Sequence, residues 1–244
     1  MFNRNNSNPL SYAPSREQES SVALRPLMRL VYMWMGLGLL TTALLSFFVA
    51  SNESIVAVAA NWYLPLVILQ VVVVLGLSWM MQRVSPTVAG GLFFFYSALN
   101  GVTFGVIFFG LVATGQSMAI TNAFLTTAGL FGAMTVVGYT TKVDLSKFST
   151  FFMMALIGLM IAIVVNIFLG STMLDFIISV FGVLLFTGLT AWDTQRIKNL
   201  AAMPEYQEHS DDMAKLAIMG ALMLYLDFIN LFIFLLRLFA GGRD

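Results

Sequence analysis

The chain contains no cysteine. That absence excludes disulfides and thiolate metal sites. Charge is nearly as scarce: 10% of the 244 residues are Asp, Glu, Lys or Arg, against about 25% in a soluble domain. Bases and acids number twelve each, so net charge is zero and there is no basic surface for nucleic acid. The one histidine, His209, lies in a polar stretch from Glu205 to Asp212 and makes no metal site alone. Little charge with 59% hydrophobic residues describes an integral membrane protein with the lipid bilayer as its solvent. Residues 1–24 are polar and carry Pro9 and Pro14. They lack the apolar core and small-residue cleavage site of a signal peptide. We read 1–24 as a disordered cytoplasmic tail and 25–244 as one membrane domain.

Where charge occurs, it punctuates. None lies between Arg29 and Glu53, Glu53 and Arg83, Arg83 and Lys142, Lys147 and Asp175, or Asp175 and Asp193. The 58 uncharged residues from Val84 to Thr141 hold two spans, with Thr114-Gly115-Gln116-Ser117 as their turn. A membrane helix needs about 20 apolar residues, and no strand alternation is visible, so helices are expected rather than a barrel. The pattern predicts an all-α membrane protein with seven transmembrane helices, at about 27–50, 62–82, 88–112, 119–141, 148–169, 175–200 and 213–239. Residues 51–61 are expected as a loop. With the N-terminus in the cytoplasm, ten Lys and Arg fall inside and two outside, Arg237 and Arg243. This positive-inside bias places the C-terminus across the membrane. Gly101 with Gly105, and Ala217 with Ala221, are small-residue pairs that let helices approach closely. Asn100, Asn122 and Asn166 are expected as interhelical hydrogen-bonders.

The last apolar run, Leu216 to Leu236, has one acid at its middle, Asp227. A carboxylate there costs roughly 2.5–3.5 kcal/mol on the translocon scale and needs a partner. The end of the sixth expected helix, Leu189-Thr-Ala-Trp-Asp-Thr-Gln-Arg-Ile-Lys198, supplies a second acid, Asp193. Counted from their helix ends, the two acids differ in depth by roughly 10 Å at about 1.5 Å per residue. Tilt or a longer sixth helix must absorb that. Asn230, three residues past Asp227, shares its face and can assist. Arg83 is the nearest candidate counter-charge. Two carboxylates about 4 Å apart repel by roughly 4 kcal/mol at an effective dielectric of 20. They would share one proton as a coupled pair, or hold a divalent cation such as calcium, completed by an amide, carbonyls and water. Protonation and cation binding then compete for one site.

Gly188-Leu-Thr-Ala-Trp-Asp-Thr-Gln-Arg-Ile-Lys198 and the long segment Gly220 to Phe239 resemble the Bax inhibitor-1 family, also called the transmembrane Bax inhibitor motif family. Tyr96-Ser-Ala-Leu-Asn-Gly101 and Gly138-Tyr-Thr-Thr-Lys-Val-Asp-Leu-Ser146 are similar to its bacterial branch. The resemblance runs from about Arg25 to the end. It implies a seven-helix fold with the seventh helix central and surrounded by the other six. It also implies a pH-sensitive calcium leak controlled by an Asp pair, here Asp193 and Asp227, in the cytoplasmic or inner membrane. The family's second-helix Arg, which pairs with the dyad in the closed state, falls on Arg83. Two departures stand out: Trp192 replaces a common Tyr before the first Asp, and the chain ends Gly-Gly-Arg-Asp244 without a longer charged tail.

Three other classes compete, of which a secondary transporter is disfavoured because no inverted repeat and no matched pair of broken half-helices is visible. Bacterial members resemble regulators of a membrane-anchored quality-control protease, and residues 1–24 would be the handle. An intramembrane aspartyl protease also pairs acids on its sixth and seventh helices. It needs glycine before the second Asp, where this chain has Leu226, and a Pro-Ala-Leu element that is missing. The expected function is therefore a calcium leak channel and not an enzyme, with calcium as the transported ion and no cofactor.

Overall fold

Breaks between helices fall at capping residues, glycines and a proline. The computed structural model describes residues 16–80, 83–203 and 210–241. These form α1 (Arg16–Ala50), α2 (Glu53–Asn61), α3 (Tyr63–Met80), α4 (Pro86–Ala113), α5 (Ser117–Thr140), a 3₁₀ turn (Leu145–Phe148), α6 (Ser149–Leu169), α7 (Thr172–Ala201) and α8 (Ser210–Gly241). No strand occurs among the described residues. Ser85 caps α4 and is followed by Pro86 at the first helical position, where its missing N–H costs nothing. Ser171 caps α7 by accepting the Leu174 N–H at 3.2 Å. Gly115 (φ 75°) and Gly170 (φ 60°) turn the chain after α4 and α6 in the left-handed region.

Six helices are long and apolar enough to cross a membrane: α1 from Pro26, α4, α5, α6 with its 3₁₀ turn, α7 and α8. The expected second span is different. Residues 53–61 are not a loop but helix α2, and α2 and α3 pass the same test only together, bent by 70°. Asn52 caps α2 by accepting the Ile55 N–H. Pro65, in the first turn of α3, clashes with a helical carbonyl four residues back, at Asn61, and so forces the break. Residues 16–24, expected in the tail, lie within helix α1. Residues 1–15 of that tail, and 204–209 with His209, are outside the described residues, while Ser210–Asp212, expected in the His209 loop, form the first turn of α8.

The core lies around α8. About 72% of its spanning window is buried, against 6% for α6. Helices α1, α4, α5 and α7 pack directly on α8, while α3 packs mainly on α4 and α6 on α7. Four helices thus surround α8, and α3 and α6 form an outer layer. Gly101 and Gly105 of α4 seat against Thr42, Leu45, Ser46 and Val49 of α1, the close approach expected of that pair. Ala217 and Ala221 of α8 are fully buried. The asparagines behave otherwise. The Asn100 amide donates to the Tyr96 carbonyl of its own helix, Asn166 accepts the Ser171 N–H at the α6–α7 turn, and Asn122 is exposed. A helix offers a carbonyl four residues back, and that local partner wins over a distant one.

Candidate functional site

Two contacts fix the antiparallel register of α7 and α8. Gly220 faces Ile197, and Gly182 faces the Phe234 ring. Asp193 and Asp227 lie between these contacts, one on each helix, and both are buried. The depth mismatch disappears because α8 starts before its register with α7 begins. By the same pairing, Ala201 at the end of α7 is level with about Leu216. Residues 210–215 therefore extend past α7, by roughly 9 Å at 1.5 Å per residue.

The two carboxyls come within hydrogen-bonding reach of each other. Neither carboxylate has a proton to donate, so such a bond forms only when one proton is held between them. One oxygen of each, Asp193 Oδ1 and Asp227 Oδ2, is buried with no protein partner. Leaving a charged group so placed is expensive, at several kcal/mol per ion even after relaxation. Among the described residues no cluster of three or more His, Cys, Asp or Glu gathers. A hard divalent ion at this pair would find two carboxylates and would take its other ligands from carbonyls and water.

The remaining expected site residues are placed elsewhere. Arg83 is exposed, with its guanidinium 4.8 Å from the Trp79 ring centre. The Asn230 amide donates to the Leu226 carbonyl at 2.8 Å, within its own helix. The positive charge beside Asp193 is Arg196, one turn further along α7, which also stacks on Trp192 at 5.3 Å. Spacing i to i+3 on a helix was the signal for it.

Gln195 is a second residue that the sequence reading passed over. Its Nε2 donates to the Val143 carbonyl at 2.8 Å, and its Oε1 accepts the Leu145 N–H at 2.7 Å. This buried amide straps the α5–α6 connection to α7, two residues from Asp193. Lys198 adds a bond from Nζ to the Tyr139 carbonyl at 2.8 Å. At Gly138 the α5 and α7 backbones meet, since a Cβ there would run into the Ala191 carbonyl. On the other side of α8, the Tyr225 hydroxyl bonds Thr42 Oγ1 at 2.8 Å, and Thr42 donates to the Ser97 carbonyl at 2.9 Å. This knot ties α1, α4 and α8 together.

A third group of hydroxyls adjoins the site. Tyr32 of α1 points between Thr135 of α5 and Thr194 of α7. The Tyr32 and Thr135 hydroxyls are buried; Tyr32 lies within reach of Thr135 and Thr194, but neither the Tyr32 nor the Thr135 hydroxyl makes a hydrogen bond of good geometry to protein. Each such group costs roughly 1–3 kcal/mol unless something satisfies it.

A family model described as "Inhibitor of apoptosis-promoting Bax1" matches residues 24–244. An Escherichia coli K12 protein named "Inner membrane protein YbhL" is 44% identical over 223 residues, covering 90% of this chain and 93% of that one. A Deinococcus radiodurans protein is 42% identical over 228 residues, covering 93% and 95%. A Streptococcus pyogenes serotype M6 membrane protein is 36% identical over 232 residues, covering 93% and 96%.

Proposed function

The chain belongs to the Bax inhibitor-1 family of membrane proteins, and from that premise we propose that it is a pH-sensitive calcium leak channel gated by Asp193 and Asp227. The observation that carries this reading is the meeting of two buried acids from α7 and α8, each with an oxygen that no protein group satisfies. With one proton between them, the pair links α7 to α8 and presents little net charge. Without it, two negative oxygens repel and attract a divalent ion instead. One calcium replaces one proton, so calcium binding strengthens as pH rises, by up to about tenfold per unit while that exchange lasts.

The same reading counts the bent α2–α3 pair as one span, giving seven. It sets the N-terminus in the cytoplasm, the C-terminus opposite, and the chain in an inner membrane like the E. coli relative. Asn230 and Arg83 enter only after rearrangement. Asn230 would have to release the Leu226 carbonyl, and Arg83 would have to leave Trp79.

Calcium uptake into liposomes holding the purified protein, from pH 6 to pH 8, tests the proposal. Wild type should pass calcium in a pH-dependent way. Asp193→Asn and Asp227→Asn should each flatten that dependence. Wild-type flux no greater than that of empty liposomes would overturn the leak, and the protease-regulator reading would then take its place.

A further inference from the structure

Between α1 and α5 lies a cleft of about 310 Å³ lined by Met28, Tyr32, Thr135, Val136, Tyr139 and Thr140. It opens near one end of the bundle: Thr135 is five residues from Thr140, where α5 stops, or about 8 Å along the helix. At its floor are the two buried hydroxyls without a protein partner, those of Tyr32 and Thr135. The Thr194 hydroxyl beside them is committed as donor to the Thr190 carbonyl at 2.7 Å, which leaves its oxygen free to accept. Asp193 is the next residue along α7, about 100° around the helix from Thr194, and its Oδ1 is also buried without a protein partner.

The cleft wall is mainly apolar, but behind it the hydroxyls of Tyr32, Thr135 and Thr194 offer a water the two or more polar partners it needs. A purely lipid-facing groove would have no use for the hydroxyls. We infer that the α1–α5 cleft is the water entrance to the Asp193–Asp227 pair, running from Thr140 past Tyr32 and Thr135 to Thr194. The charged and titratable groups near it are Tyr32 on α1 and Tyr139 on α5, which line it, and Lys198 on α7, which bonds the Tyr139 carbonyl, with Asp193 of α7 and Asp227 of α8 at the inner end. Lys198, with its ammonium 5.2 Å from the Tyr139 ring centre, puts positive charge beside the cleft. The inference rests on the proposed role of the pair, and its test is independent of flux.

The absence of native cysteine makes that test clean. Thr194→Cys would be placed in liposomes and exposed to a small charged methanethiosulfonate, which reacts with thiolate, a species formed only where water reaches. Leu184→Cys, on an exposed position of α7 in mid-span, is the lipid-facing control. Thr194→Cys should react at least about tenfold faster than Leu184→Cys. Adding Thr135→Trp, or Val136→Trp should the first variant fail to fold, should plug the cleft and bring that rate down to the control. Thr194→Cys reacting no faster than Leu184→Cys would overturn the entrance, and so would a rate untouched by a plug in a folded variant. Because labelling reads water, a wild type that passes no calcium would refute the leak and leave the entrance to be decided by these rates.

Discussion

Gly138 has no room for a methyl group because the Ala191 carbonyl stands in its place, and backbone cannot swing aside as a side chain can. Gly138→Ala should therefore push α5 off α7 and cost about 1–3 kcal/mol. Gly129→Ala on the same helix has open space around it and should be neutral or slightly stabilising. Equal melting temperatures for the two variants in detergent would mean that α5 and α7 do not touch at 138. The two acids were legible because a lone carboxylate in an apolar run is conspicuous whatever the fold. Gln195 was not. It reads as a polar residue near a helix end, and only the return of the chain at Val143 and Leu145, some fifty residues upstream, buries it. Arg83, which the sequence offers as the nearest cation, stands over an indole four residues back on its own chain and reaches the pair only after rearrangement. The depth of the acids was misjudged by counting from helix ends, although contacts along the helices set the register.

The α5–α6 connection is held by its own cap as well as by Gln195. Asp144 Oδ1 accepts the Ser146 N–H at 3.0 Å. The Ser146 hydroxyl first, then that amide bond, with a smaller contribution from nearby Lys147, hold its carboxyl below the ordinary value of 3.8. A depressed folded value means the cap stabilises the turn above the unfolded value and is lost as pH falls through the folded one. Hydrogen exchange at the Ser146 amide should thus lose protection below the ordinary carboxylate range, while Asp144→Asn, which keeps an acceptor but does not titrate, stays level. Protection in wild type that holds unchanged to about pH 2.5 would remove the cap from the account. Most elements were legible from the gaps between charges. Helix α2 is not legible from those gaps because nine residues are too few to span, so 51–61 reads as a loop. Its start signal, Asn52 before Glu53, was present, and Pro65 marked the break that follows.

Across the whole molecule, burial separates two helices that hydropathy ranks together. A photoactivated carbene reagent dissolved in the lipid, followed by peptide mapping, should label α6 most and α8 least. Equal labelling of the two would remove α8 from the centre. Composition alone could not make this distinction. Lipid tails are as apolar as leucine, so a helix facing lipid and a helix facing helices use the same residues. The central place of the last span came from family resemblance, and the packing limits it to four direct neighbours. One consequence concerns biosynthesis. The helix at the middle of the bundle is synthesised after every helix that packs on it. At about 5–20 residues per second, a ribosome needs roughly 12–50 seconds to make a chain of this length. Asp193 precedes Asp227 by 34 residues, so for roughly 2–7 seconds of that interval the first acid exists without the second. A chain stopped short of its last helix therefore has Asp193 without its partner and lacks the centre on which four other helices pack.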